Sequence, residues 1–332
     1  MHGYLMTCST GASAFNAGAK APADINAILA REGFDVLTNN YMLRNRKFRL
    51  PLILITPLAQ SVRIRRGSQL FFQHPYDTAH DAIKVMNKIL LRLLRCKNVT
   101  TVVLVHDIES IRFGEKPLAD EVALLNSFDT VIAHSPAMKS LLEANGLKVP
   151  CKVLGLFDYL VTKTNVQPRT RDGGVCYAGN LEKSTFISAL VDVAIPFHLY
   201  GSASSNIPVC KNVAYEGRFA SDDLSSLKGG WGLVWDGDGM TRCSGTLGDY
   251  LAYNSPHKAS MYLCAGLPLI VPSWSAVASI VRDNGLGIVV DNLKQVQESI
   301  ASITEDEYKS MLAAVGAYAD DLMHGRHILE VI

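Results

Sequence analysis

The sequence lacks the cysteine patterns that hold small secreted domains or zinc sites together. Its seven cysteines are an odd number, lie far apart and include no C-x-x-C pair. Disulfide frameworks use even numbers of cysteines, and structural zinc sites use closely paired ones. We therefore expect reduced thiols and a cytoplasmic location.

Long apolar runs and nucleotide fingerprints are missing as well. No stretch reaches the roughly 18 consecutive apolar residues that a membrane-spanning helix requires, and no secretory signal is evident. Neither G-x-G-x-x-G nor a Walker A sequence occurs, which argues against a dinucleotide fingerprint and an NTPase. No nucleic-acid-binding motif accompanies the basic residues, so nucleic acid is not an expected partner.

The charge that is present is unevenly distributed. Residues 1–150 carry 18 Lys and Arg against 12 Asp and Glu, whereas the remainder carries 14 against 19, for a net charge of +1. The basic surplus is concentrated in residues 44–49, 63–66 and the amphipathic stretch 84–97. Such clusters predict either a solvated basic face or contact with anionic lipid or a charged acceptor.

A length of 332 residues predicts two domains, because one hydrophobic core rarely serves so long a chain. Buried strands alternate with amphipathic helices, which predicts α/β architecture with parallel sheets covered on both faces. We place an N-terminal domain at residues 1–160 and a second at 161–310, joined by a polar linker over 162–174. A final helix over 311–332 could cross back to the first domain.

Predicted elements of the first domain are the strands 4–8, 69–73, 99–106 and 130–133 and the helices 23–31, 79–95, 118–126 and 136–144. In the second domain the strands are 174–177, 197–200, 213–216, a strand before the DGDG turn, 267–271 and 287–290. Its helices are 186–194, one opened by SDDLSSL, 257–265, 293–302 and 305–321.

Three titratable residues lie close together at the end of the predicted strand 99–106. They are His106, Asp107 and Glu109. Ligands of parallel α/β sheets meet the carboxyl ends of strands, so these side chains are candidates for acid or base chemistry. Alternatively, they only cap the helix that follows.

Residues 250–272 have the pattern of an anion site. Asn254 or Ser255 can cap a helix whose first position suits Pro256, and Gly266 ends that helix. Lys258 falls in the first turn, where the helix dipole disfavours a cation. Its presence indicates that an anion binds there, unless it is only a solvated lysine on an ordinary capped helix.

Two other stretches leave two interpretations open. Asp236 and Asp238 in the DGDG turn could hold a metal or could serve the turn itself. The small-residue stretch 9–22 follows the first predicted strand, where it could let a ligand approach the backbone or could be a flexible connection.

Several segments together resemble a known family. They are GLVWDGDGMTRCSGTLGDYLAYNSPHKASMYLCAGLPLIV over 232–271, HDIESIR over 106–112, FDYLV over 157–161, YAGNL over 177–181 and NAGAKA over 16–21. They resemble the bacterial β-1,6-galactofuranosyltransferases of O-antigen assembly and, more distantly, the glucosyltransferases that extend N-acetylglucosamine on serine-rich adhesins. The resemblance implies a GT-B fold, with two Rossmann-like domains facing a cleft, no metal, and a nucleotide sugar held mainly by the C-terminal domain.

The resemblance also implies site residues. Contacts with UDP would come from Tyr253, Asn254, Ser255, Pro256, His257 and Lys258, from Lys183 where relatives carry Arg, and from the backbone of the loop around Ala17 and Gly18. Lysine offers a point charge in place of the planar arginine fork, so the contact at Lys183 is less specific in geometry. Asp236 and Asp238 match the family motif, which favours a sugar-binding or structural role over a metal.

The expected function is transfer of a hexosyl residue, galactofuranosyl first, from a UDP-sugar to a glycan or glycoprotein acceptor with inversion. Inversion requires one general base, for which Asp107 is the first candidate, followed by Glu109 and His106. Glucosyl transfer to N-acetylglucosamine on a protein is the alternative within the class. A nucleotide-sugar epimerase and a non-catalytic sugar-binding subunit are the alternatives outside it. We also expect no cofactor, a homo-oligomer, and a peripheral membrane contact through the basic half.

Overall fold

The structure is a computed structural model that describes residues 2–8, 17–39, 49–78, 81–114, 117–163 and 168–332. Within these ranges the chain divides into two compact units. The first takes nearly all described residues up to Leu154 together with 331–332, and the second takes Gly155–Glu330. None of the described helices is both long and apolar enough to cross a membrane.

The first unit is built on a sheet of six parallel strands in the order β2-β1-β3-β4-β5-β6. The strands are β1 (Gly3–Cys8), β2 (Asp35–Asn39), β3 (Gln69–His74), β4 (Thr100–Val105), β5 (Thr130–Ala133) and β6 (Cys151–Val153). The helices are α1 (Ala17–Arg31), α2 (Arg49–Arg63), α3 (Asp81–Leu94), α4 (Glu109–Arg112), α5 (Leu118–Leu125) and α6 (Pro136–Ala144).

Burial explains why the central strands of this sheet could be read from the sequence. Phe71 and Phe72 of β3 are fully buried, as are Val103 and Leu104 of β4. A strand covered on both faces is apolar along its length, which distinguishes it from an alternating surface strand. The strand order reverses between β1 and β3, and the carboxyl ends beside such a reversal form the usual crevice of an open parallel sheet.

The second unit repeats this plan with a second sheet of six parallel strands, in the order β12-β11-β10-β7-β8-β9. Its strands are β7 (Val175–Ala178), β8 (Phe197–Tyr200), β9 (Val213–Gly217), β10 (Trp231–Leu233), β11 (Leu269–Pro272) and β12 (Gly287–Val290). The order reverses between β7 and β10, which is the Rossmann arrangement.

The described chain from residue 155 onward also forms helices. They are α7 (Gly245–Tyr250), α8 (His257–Cys264), α9 (Ala278–Asp283), α10 (Val296–Ser302), α11 (Glu305–His324) and α12 (Arg326–Val331), with 3-10 helices at Thr185–Asp192 and Leu293–Gln295. The longest, α11, begins at a capping box between Thr304 and Glu307 and ends at Gly325 with φ of 77°. It packs against α8.

Three sequence predictions of secondary structure were wrong. The helix expected from SDDLSSL is a series of turns, because the carboxylate of Asp223 accepts hydrogen bonds from the amide and hydroxyl of Ser225. Residues 186–194 form a 3-10 helix over Thr185–Asp192 instead of an α-helix. The first helix begins at Ala17, not near residue 23, so Ala17 and Gly18 belong to its first turn and not to a loop.

Helix α2 has no counterpart among the predicted elements, and it exposes an apolar stripe. Leu54, Ile55, Leu58 and Val62 are between 51% and 80% exposed and recur at helical spacing along one face. The exposed basic residues Arg63, Arg65 and Arg66 follow directly. The basic cluster at 63–66 therefore adjoins exposed apolar surface, whereas the cluster at 44–49 lies almost entirely outside the described residues.

Candidate functional site

The amino group of Lys258 lies at the strand-order reversal of the second sheet. Nζ donates to the backbone carbonyl of Trp235 at 3.0 Å and to Oδ1 of Asp236 at 2.8 Å, just beyond the end of β10. It also lies 5.0 Å from the ring centroid of Tyr177 on β7. Both strands that flank the reversal thus contribute to the surroundings of this cation, at the edge where ligands of such sheets bind.

Lys258 remains a cation in this environment. Its side chain is only 15% exposed, and burial alone would lower its pKa. The carboxylate of Asp236 outweighs burial and holds the pKa above the ordinary lysine range. The first turn of α8 therefore carries a fixed positive charge at any pH at which the protein functions.

Tyr262 of helix α8 packs closely against the sheet. The ring of Tyr262 packs directly on Gly232 of β10, where a Cβ atom would lie 2.3 Å from Cγ of Tyr262. The hydroxyl oxygen of Tyr262 accepts a hydrogen bond from the amide of Ala178 at 2.7 Å. Gly232 thus permits the approach that places Lys258 next to Asp236 and Tyr177.

The DGDG turn is shaped by its first glycine and by a buried tryptophan. Gly237 has φ of 91°, and a Cβ atom there would lie 2.2 Å from the carbonyl oxygen of Ser244. The indole of Trp235 donates to the carbonyl of Gly239 at 2.9 Å. Asp238 is exposed and accepts from the hydroxyl of Thr185 at 3.0 Å. The turn therefore fixes the direction in which Asp236 meets Lys258.

The expected cap of this helix was wrong in detail. Pro256 occupies the N-cap position with ψ of 133°, and no side chain caps the helix. Proline fits an extended ψ as readily as a helical one, so the helix begins one residue later than its first-position preference indicates. Asn254 does not cap the helix: its Oδ1 is buried and has no hydrogen-bond partner among the described residues.

The other residues assigned to UDP lie in varied surroundings. The ring of His257 packs 4.7 Å from Tyr159, between ring centroids, so it contributes to packing within the second unit. Ser255 is buried and Tyr253 is half-buried. Lys183 has an exposed side chain, and its backbone amide donates to Oδ1 of Asn180 at 3.2 Å.

The first unit carries a second cluster at the carboxyl end of β4. Asp107 is 17% exposed and its carboxylate pairs with the guanidinium of Arg112. Burial raises the pKa of Asp107 to about 6, although Arg112 acts in the opposite direction. Burial and the charge of Asp107 raise the pKa of Tyr76 to about 12. A carboxylate with a pKa near neutrality suits a general base.

His106 and Glu109 are less suited to that role. The ring of His106 is 6% exposed, and its Nε2 lies 2.8 Å from Oε1 of Gln73. The backbone amide of Glu109 donates to Glu121 at 2.9 Å, so Glu109 contributes to the start of helix α4. Among the three predicted candidates, Asp107 combines a raised pKa with partial exposure.

Sequence reasoning missed Glu121, which is the hub of this cluster. Its carboxylate is 8% exposed and accepts from the amides of Glu109 and Ser110, from the hydroxyl of Ser110 and from Nε2 of His74. The only sequence signal is an acidic residue in the first turn of α5, which is common in helices and does not identify a partner.

Within the described part of the chain, no three His, Cys, Asp or Glu residues are grouped so that they could hold a metal ion. Asp236 is instead paired with Lys258, and Asp238 with Thr185. The two carboxylates of the DGDG turn are therefore engaged with protein donors.

Comparison with known proteins identifies the class and the family. The glucosyltransferase 3-like N-terminal domain matches residues 3–156, and the glucosyltransferase 3-like C-terminal domain matches residues 175–332. The beta-1,6-galactofuranosyltransferase WbbI of Escherichia coli (strain K12) is 34% identical over 247 residues, covering 73% of this chain and 72% of that protein. Glucosyltransferase 3 of Streptococcus gordonii is 30% identical over 241 residues, covering 71% of this chain and 69% of its own.

A solved structure supports the same fold. The glycosyltransferase from Rickettsia africae ESF-5 matches with a TM-score of 0.56 at 10% identity, covering 99% of this chain and 97% of that one. Together with the two parallel sheets, this establishes the GT-B fold, and with the relatives it identifies a glycosyltransferase. More particularly, the two matched domains span almost the whole chain, which therefore belongs to the glucosyltransferase 3-like family.

Proposed function

We propose that this glycosyltransferase moves a galactofuranosyl residue from a UDP-sugar to a glycan acceptor with inversion, in the assembly of a cell-surface polysaccharide or glycoprotein. The observation that carries the proposal is the position of Lys258, a cation whose side chain is only 15% exposed, in the first turn of α8 at the strand-order reversal of the second sheet. A helix N-terminus and an adjacent cation suit a diphosphate.

Asp236 has a defined part in this proposal. It holds the amino group of Lys258 at 2.8 Å, so the cation is oriented before a nucleotide arrives. A bound diphosphate would share Lys258 with Asp236. Asn254 lies four residues before Lys258. Its buried Oδ1, which has no partner among the described residues, is an acceptor that we assign to a hydroxyl of the ligand. Contacts from Tyr253, Ser255, Pro256, His257, Lys183, Ala17 and Gly18 remain part of the proposal.

An inverting mechanism also requires a general base, and we assign this role to Asp107. The acceptor oxygen forms a bond to the anomeric carbon while the bond from that carbon to the diphosphate breaks, and UDP leaves with the electron pair. The carboxylate of Asp107 takes the proton of the acceptor hydroxyl. Its pKa of about 6 leaves it ionised at neutral pH yet basic enough to accept that proton. Glu109 and His106 are the second and third candidates.

The donor sugar has two candidates, galactofuranose and glucose. The 34% identity with a galactofuranosyltransferase supports galactofuranose. The family models and the 30% identity with glucosyltransferase 3 support glucose. For that donor, N-acetylglucosamine on a protein is the acceptor that the sequence resemblance implies. Ring size and hydroxyl stereochemistry are read by pocket shape, so these donors require a direct comparison.

The test is a panel of UDP-sugars incubated with glycan and N-acetylglucosaminyl-peptide acceptors, with products analysed by mass spectrometry and by NMR for anomeric configuration. We expect one donor to give a β-linked product and free UDP. An isomerised donor without transfer would indicate an epimerase. UDP binding without any turnover would indicate a sugar-binding subunit, and an α-linked product would overturn the inverting mechanism.

Independence from metal is also part of the proposal, because Lys258 can neutralise the diphosphate. Transfer should persist in the presence of EDTA, and restoration of lost activity by a divalent cation would contradict this. A homo-oligomer and a peripheral contact with anionic membrane through the basic half stay predictions. So do the cytoplasmic location and a return of residues 311–332 to the first domain.

A further inference from the structure

The hydrogen bonds around Glu121 connect three elements of the first unit. Nε2 of His74, at the end of β3, lies 2.6 Å from Oε1 of Glu121 on α5. The amides of Glu109 and Ser110, at the start of α4, lie 2.9 Å from the two carboxylate oxygens, and the Ser110 hydroxyl lies 2.6 Å away. One buried carboxylate thus ties the start of α4 to a strand end and to a neighbouring helix.

Glu121 is ionised wherever the enzyme can work. Burial by itself raises its pKa, but the hydrogen bonds from His74 and Ser110 outweigh burial and hold the pKa at about 2. A buried carboxylate of this kind is stable only while its donors stay in place, because an unpaired buried charge is costly. Glu121 therefore resists any movement of α4.

Helix α4 is only four residues long, and it carries the guanidinium that meets Asp107. Glu109 and Ser110 at its start are bound to Glu121, and Arg112 at its end pairs with Asp107. So short a helix has little rigidity of its own, since most helical stability comes from packing. The position of Arg112 beside Asp107 therefore depends on the anchor at the other end.

We propose that Glu121 is a positioning residue of the transferase: by fixing helix α4 it holds Arg112 against Asp107 and so sets the basicity of Asp107. This inference rests on the proposed role of Asp107 as the base. The charged and titratable groups that face Asp107 are Arg112 and Glu109 of α4, together with His74 and Tyr76 from the end of β3. Of these, Arg112 makes the direct contact.

The test is the pH dependence of kcat/KM for Glu121→Gln, which keeps the side chain's size but replaces one acceptor oxygen by a donor. With Arg112 displaced, the pKa of Asp107 rises. The ascending limb of the pH profile of kcat/KM should therefore move to higher pH, by about 1 unit. We also expect kcat to fall at least about 10-fold. Arg112→Gln should move the limb in the same direction. Adding Glu121→Gln to Arg112→Gln should cause no further movement.

Glu143→Gln is the matched control, because Glu143 is an exposed residue of α6 in the same unit. It should leave the limb unchanged. A Glu121→Gln enzyme with a lower kcat and an unmoved limb would show a merely structural role and overturn the proposal. If this variant does not fold, Ser110→Ala, which removes one donor only, must move the limb upward, and an unmoved limb there overturns the proposal equally.

A second measurement separates this inference from the proposed function. Carboxyl ¹³C NMR, with Asp107→Asn for assignment, reads the titration of Asp107 without any substrate. It should show a higher midpoint in Glu121→Gln than in the wild type. If no sugar is transferred by the wild type but this midpoint moves, the proposed function fails while the coupling of Glu121 to Asp107 stands. An equal midpoint in both proteins refutes the coupling.

Discussion

Lys258 and Asp236 show what residue-level reasoning can and cannot reach. A lysine in a first helical turn opposes the helix dipole, so the sequence alone identified Lys258 as a candidate site residue. The DGDG turn identified Asp236 in the same way. Their ion pair was not predicted, because it joins residues 22 positions apart through the order of the strands. Glu121 was missed for the same reason: its partners come from β3 and α4, and no local pattern links them.

The raised pKa of Asp107 predicts a pH-dependent effect of Asp107→Asn on stability. A carboxyl group whose pKa rises from 3.8 to about 6 on folding binds more protons in the folded state, so stability falls as pH increases through that range. The full effect is on the order of 3 kcal/mol. Asparagine does not titrate, so the melting temperature of the variant relative to wild type should rise between pH 4 and pH 8.

The same variant should lose transferase activity at every pH, and its folding should be checked by circular dichroism. Asp129→Asn, one residue before β5, is a control that alters a carboxylate of the same unit outside the site. A melting-temperature difference that stays constant with pH would contradict the raised pKa of Asp107. Activity near the wild-type level would shift the role of base to Glu109.

At the scale of elements, strands buried on both faces were predicted well and features that depend on tertiary contacts were not. The bounds of β5, α6, β8 and β12 agree with the sequence prediction, because each is an apolar or well-capped segment. Helix α2 contains Pro57 and exposes much of its apolar surface, so its pattern did not indicate a helix with one buried face. SDDLSSL failed because a local side-chain hydrogen bond favours a turn.

The contact between Gly232 and Tyr262 predicts a destabilising Gly232→Ala substitution. The added methyl group would displace a fully buried aromatic ring, which costs about 1–3 kcal/mol, and would shift α8 with Lys258. We expect a lower melting temperature and weaker UDP binding. Gly316→Ala in α11, where a Cβ atom meets nothing within 4 Å, should be neutral or slightly stabilising. Equal melting temperatures for both variants would contradict this packing.

The apolar stripe of α2 and the arginines after it predict binding to anionic membrane. The protein should sediment with vesicles that contain phosphatidylglycerol, less so at high salt, because both apolar burial and charge contribute. A variant with both Leu58→Glu and Val62→Glu should stay in the supernatant, whereas Val209→Glu, at an exposed position of the second unit, should sediment normally. Unchanged sedimentation of the double variant would contradict a membrane contact. A double variant with a changed oligomeric mass but unchanged binding to vesicles would contradict it as well.

At the scale of the whole molecule, the two sheets explain why the sequence predicted the fold but only part of the site. Alternation of apolar strands and amphipathic helices is spread over the entire chain, so errors at single elements do not change the architecture. The site depends instead on which strands become neighbours. In both units the residues of interest follow strands near the reversal of strand order, a property of the sheet as a whole.

Mass action predicts that UDP stabilises the protein. A ligand present at 100 times its dissociation constant contributes about 2.7 kcal/mol, which should raise the melting temperature measurably. The donor sugar nucleotide should raise it further, while uridine without phosphates should have little effect because it lacks the group that Lys258 is proposed to bind. Equal stabilisation by uridine and by UDP would contradict a phosphate site.

The most direct measurement is a calorimetric titration of UDP into the wild type, Lys258→Ala and the exposed control Lys309→Ala. Loss of a charged hydrogen bond costs about 1.5–3 kcal/mol, so we predict an affinity at least about 10-fold weaker for Lys258→Ala and unchanged for the control. Adding Asp236→Asn should not restore binding. Wild-type affinity in folded Lys258→Ala, or its full recovery in that double variant, would contradict a diphosphate site at Lys258.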